Sequence, residues 1–87
     1  MNTRSKHNIL PSLHREILIS LFRISPSIEE GGDESKWATT RQIADMHDLN
    51  IYKARRLLRE LVEFERVIVS ETSINNSLRW YPNDGSR

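Results

Sequence analysis

The apolar residues of this chain keep a helical spacing as far as Arg66 and alternate after it, a change of period that calls for helices and a small sheet in one domain. The helical signal is clearest over residues 51–64. At about 100° per residue, Ile51, Ala54, Leu57, Leu58, Leu61 and Phe64 fall within an arc of about 140°, which predicts a helix with these six side chains in the core. The opposite arc carries Tyr52, Lys53, Arg55, Arg56, Arg59, Glu60 and Glu63, with no large aliphatic residue among them. That face is either wet or bound. Beyond Arg66, residues 67–72 and 78–81 alternate and are rich in β-branched and aromatic side chains, the signature of strands. Residues 73–77 connect them, and Asn75-Asn76 suits a tight turn because asparagine tolerates positive φ.

Two further helices precede these elements. Leu13, Ile17, Leu21 and Ile24 recur at steps of four and three; with Pro11 suited to a first turn and Pro26 denying the backbone a donor, they predict a helix over residues 11–23. A second helix opens at Thr39-Thr40-Arg41-Gln42. Here Thr39 can accept from the Gln42 amide while the Gln42 side chain reaches back, a capping box, and Ile43, Ala44 and Met46 form its apolar face. Asp48-Leu49-Asn50 interrupts the pattern, and Asn50 is a good N-cap for the helix that follows. A short strand over residues 36–38 would complete the sheet. Trp37, Phe64 and Trp80 fall on faces expected to be buried, and His14 and His47 are read as surface or partly buried polar groups. The expected fold class is α+β: three helices followed by a β-hairpin wing, the order of a winged helix-turn-helix.

Length and composition narrow the classes of function. Eighty-seven residues suffice for one domain with one modest core, divided here into a flexible basic arm (1–10), the folded domain (11–82) with an acidic loop (25–36), and a frayed tail (83–87). There is no cysteine, so disulfides, thiolate metal sites and thiol nucleophiles are excluded. No apolar run approaches the roughly 20 residues that span a bilayer, and the polar, basic start lacks the apolar block of a secretory signal, so a cytoplasmic protein is expected. His7, His14 and His47 lie far apart, with no spacing that would pair two of them on a helical face, and no metal or cofactor is expected. Nor is an enzyme, since there is no glycine-rich phosphate loop and no nucleophile beside a base.

The net charge of +1 conceals a strong segregation: Glu29, Glu30, Asp33 and Glu34 crowd the loop, while Lys53, Arg55, Arg56 and Arg59 follow one another with no acid between them. The second helix of a helix-turn-helix enters the DNA major groove, so its exposed N-terminal face is where basic and polar groups belong. Tyr52, Lys53, Arg56 and Arg59 share a stripe there, with Arg55 at its edge facing a phosphate. Arg56 and Lys53 are the expected base readers, and Tyr52 can pack on a thymine methyl. Thr39, Thr40 and Arg41 are expected to meet phosphate at the start of the second helix, and Asn75, Asn76 and Arg79 to touch the backbone from the wing. A basic stripe is often only a solvated face, and a winged helix that binds protein rather than DNA is the alternative.

Residues 37–81 resemble the small winged-helix regulators of fimbrial operons in enteric bacteria, the Pap- and Fae-type phase-variation proteins. The resemblance is carried by Thr39-Thr40-Arg41-Gln42-Ile43-Ala44, by Asn50-Ile51-Tyr52-Lys53-Ala54-Arg55, by Leu58 with Leu61, and by Leu78-Arg79-Trp80-Tyr81. Asp48 stands where the family's turn commonly has glycine. The resemblance implies a bacterial transcriptional regulator of fimbrial or other surface genes, with Tyr52, Arg55 and Arg56 as DNA contacts and a leucine-responsive global regulator as its partner. A domain this small binds weakly alone, so a second copy or a helper protein is expected. No membrane and no small-molecule substrate is expected.

Overall fold

Each helix begins and ends where the local chemistry of its backbone dictates. A computed structural model describes residues 10–27, 29 and 32–83. Helix α1, Ser12–Ile24, starts just after Pro11, whose carbonyl accepts from the Arg15 amide at 3.0 Å, and stops where Ser25, held extended by Pro26, turns the chain away. Helix α2, Thr40–Met46, is capped by Thr39 and Gln42 reciprocally: Thr39 Oγ1 accepts the Gln42 amide at 3.1 Å and Gln42 Oε1 the Thr39 amide at 2.9 Å. Helix α3, Ile51–Glu63, is capped by Asn50, whose Oδ1 accepts the Lys53 amide at 2.7 Å.

Both α2 and α3 close in the same way. After α2, the Leu49 amide reaches back to the Ala44 carbonyl at 2.8 Å around Asp48 at φ 55°; after α3, the Arg66 amide reaches the Leu61 carbonyl at 2.9 Å around Glu65 at φ 62°. These are Schellman closures, in which the left-handed position is usually glycine. Here an acidic residue holds each one. The first sets the short turn between α2 and α3, and Leu49 packs onto the core beside it.

Strands β1, Ala38–Thr39, β2, Val67–Val69, and β3, Arg79–Pro82, form one antiparallel sheet in the order β1-β3-β2. Ala38 pairs with Trp80 on one side of β3, and Val69 with Trp80 on the other. The described residues thus form a small α+β unit of three α-helices and a three-stranded antiparallel sheet. Trp80, at the centre of the sheet, is fully buried with Ile17 and Leu21 of α1, Ile43 of α2, and Leu58 and Leu61 of α3. Its indole Nε1–H donates to Thr40 Oγ1 at 2.9 Å, which satisfies the ring's one polar atom.

Several expectations need correction. The first helix is shifted by one residue, and β2 ends at Val69 rather than running to residue 72. Ser70 still exchanges a bond with Arg79, but residues 71–73 then oppose Leu78 alone before Ile74 pairs with Ser77, so no ladder can stay in register. Phe64, Met46 and Ile24 were expected in the core, yet they are exposed, each lying at the last residues of a helix or just past its end. Leu10, assigned to the arm, is buried in the core, and Asn83, assigned to the tail, donates to the carbonyls of Arg66 and Glu65. The rest of the arm, 1–9, and of the tail, 84–87, lies outside the described residues. Within the acidic loop, residues 34–36 form a 3-10 turn capped by Asp33, which Ser35 holds below the usual aspartate pKa range by its hydroxyl and amide. No helix among the described residues is long and apolar enough to cross a membrane.

Candidate nucleic-acid interface

Because α3 buries Ala54, Leu57, Leu58 and Leu61, its rotation about its own axis is fixed, and everything on the opposite side must face solvent. Tyr52, Lys53, Arg55, Arg56 and Arg59 are all exposed, Tyr52 at 83%. The structure therefore brings five of the residues expected to contact DNA onto one surface. They occupy the first three turns. Glu63 ends the same stripe, so the basic surface is confined to the N-terminal part of the helix.

Charge on this surface is largely uncompensated. Among the described residues, no carboxylate lies within ion-pairing distance of Lys53, Arg55 or Arg59. Arg56 is the exception: its Nη1 lies 3.3 Å from Glu60 Oε2 on the next turn, with the arginine side chain 59% exposed. A pair this exposed is worth only a few tenths of a kcal/mol, so it leaves the guanidinium available for exchange. Glu60 is held on its other side by His14 of α1, whose Nε2 lies 2.7 Å from Oε1. That hydrogen bond, with smaller help from the charges of Arg56 and His14, keeps the Glu60 carboxyl below the usual glutamate range against the effect of burial.

The remaining candidates divide. Arg41 is exposed on α2 with no ion pair among the described residues. Thr40, expected to meet a phosphate, is buried under Trp80 with its hydroxyl taken by the indole, and that expectation is corrected. Thr39 uses its hydroxyl to cap the N-terminus of α2. Arg79 is corrected too: its Nη1 donates to the carbonyls of Ser35 at 2.6 Å and Trp37 at 3.3 Å, and its Nε is buried without a partner. It ties the 3-10 turn to the sheet and does not charge the wing. Asn75 and Asn76 sit exposed at the hairpin tip, at φ 55° and 66°, with Ile74 and Ser77 exchanging both backbone bonds around them. Two positive-φ residues in a two-residue connection make the mirror-image turn that matches strand twist.

Sequence reasoning did not single out the His14–Glu60 contact. His14 lies four and seven residues before Leu18 and Leu21, so its inward position was readable, but its partner is 46 residues away. Ser20 and His47 form a similar tie, 2.8 Å between Oγ and Nε2, joining α1 to the turn before α3. Among the described residues, no group of three His, Asp or Glu side chains is placed to hold a metal ion.

Comparison with known protein families, with curated proteins and with solved structures finds no match to this chain.

Proposed function

We propose that this domain is a winged helix-turn-helix that binds double-stranded DNA, with α3 in the major groove and the hairpin between β2 and β3 as its wing. The element order α1-β1-α2-α3-β2-β3, with β3 between its two neighbours, supports the winged-helix assignment. The observation that carries the DNA-binding reading is the exposure of Tyr52, Lys53, Arg55, Arg56 and Arg59 together at the start of the helix that follows the tight turn. Arg41 lies on α2, the helix that braces against the DNA backbone in this arrangement. The resemblance of residues 37–81 to fimbrial operon regulators extends the proposal to transcriptional regulation of surface genes in the cytoplasm. A leucine-responsive global regulator or a second copy would then assist binding.

A protein-binding winged helix is the second reading, and one observation favours it: Ile19 and Phe22 are about half exposed on the outer side of α1. Reversing charge with Arg55→Glu and Arg59→Glu separates the two. A DNA reader loses its retention on a random-sequence duplex by at least about tenfold, because two attractive phosphate contacts become repulsive. An interaction module keeps the weak, charge-independent retention of the native protein.

A further inference from the structure

The Arg56–Glu60 pair is not the ordinary surface pair that its spacing suggests, because one of its members is fastened to another helix. Glu60 presents Oε1 to His14 on α1 and Oε2 to Arg56 on its own helix, at 2.7 Å and 3.3 Å. Side-chain exposure rises along this line from 11% at His14 through 37% at Glu60 to 59% at Arg56. The line thus begins beside the core and ends in the middle of the basic surface. His14 is itself held: its ring stands edge-on to Phe64 with centroids 6.0 Å apart, and its Nδ1 is buried with no hydrogen-bond partner. The Glu60 contact is therefore the ring's one polar side-chain anchor among the described residues, and the carboxylate is oriented by α1 before Arg56 engages it.

We infer that His14 and Glu60 are positioning residues for Arg56, biasing its guanidinium toward one pose in the free protein so that it reads a base edge instead of wandering among phosphates. The inference rests on the reading of α3 as the DNA-binding surface. A guanidinium carries five N–H donors in a rigid fork, and the Glu60 contact engages Nη1 alone. The donors that remain include a pair that can meet guanine O6 and N7 together. A loose arginine gives charge without direction, whereas one already oriented loses less freedom when it pairs with a base. The carboxylate also sits where it repels phosphates, so the same device weakens binding to DNA of the wrong sequence.

The test uses a duplex that the native protein selects from a random-sequence library, beside a random-sequence duplex of equal length. Glu60→Gln and His14→Phe are each expected to lower the ratio of the two affinities by about twofold, the scale of one exposed pair on a helix. In an Arg56→Ala background neither substitution should change that ratio, since its effect runs through Arg56. A purely structural role would instead lower both affinities together and leave the ratio alone, which overturns the inference. A second measurement needs no DNA: the 15N order parameter of Arg56 Nε–H in the free protein should fall in both variants. Glu60→Gln changes a half-exposed side chain and provides this readout even if His14→Phe does not fold. Unchanged order parameters overturn the positioning role while the DNA-binding reading stands; failure of the native protein to select any duplex overturns both.

Discussion

Single side chains decide which of the candidate contacts remain available. Thr40 and Arg79 look, in sequence, like exposed polar residues near a helix start and a wing; the structure makes one the hydrogen-bond acceptor for Trp80 and the other a brace for the turn before β1. Neither role could be read locally, because their partners lie 40 and 44 residues away. Removing the Thr40 hydroxyl leaves a buried indole N–H unsatisfied, so Thr40→Val should destabilise the domain by about 1–3 kcal/mol while Thr40→Ser stays near native, as measured by urea denaturation. Glu60 gives a pH signature. Its carboxyl is held below the usual glutamate range, chiefly by His14, so its stabilising effect is complete above the unfolded-state value of about 4.3 and is lost as pH falls through the lower folded value. Thermal melts of Glu60→Gln and the native protein should therefore differ near neutral pH and converge only as pH falls through the lowered folded value.

Helices and turns were the most legible level. The capping box at Thr39, the Asn50 cap and the Asn75-Asn76 turn were all readable, since each is a contact among residues no more than three apart in sequence. Element ends were less so. Periodicity assigned Phe64 to the core, but the helix stops at Glu63 and the chain reverses around Glu65. The two left-handed acidic residues carry an element-level prediction. Asp48 and Glu65 hold backbone conformations that cost a non-glycine residue about 1–2 kcal/mol, and each sits at a helix C-terminus where negative charge is unfavourable. Asp48→Gly and Glu65→Gly should each raise stability by up to about 1 kcal/mol, the gain being reduced by the greater chain entropy of glycine when unfolded. Equilibrium denaturation of the two variants and their double checks both the size and the additivity.

For the molecule as a whole, the amphipathic period of α3 did most to make the architecture readable. It fixed the buried and the open side of that helix together, and so the core and the candidate interface at once. What the sequence hid were the long-range ties of His14, Ser20 and Arg79, which join α1 and the turn before β1 to the rest of the domain. The central claim is that the open side of α3 meets a duplex, with Arg41, Arg55 and Arg59 on phosphates and Lys53 and Arg56 on base edges. The most direct measurement is the salt dependence of binding to a fluorescent duplex. About three phosphate contacts predict a log–log slope near −2.7, falling by about one unit in magnitude for each of Arg55→Gln and Arg59→Gln. Binding that does not change with salt, or a slope that the two substitutions leave untouched, would contradict it.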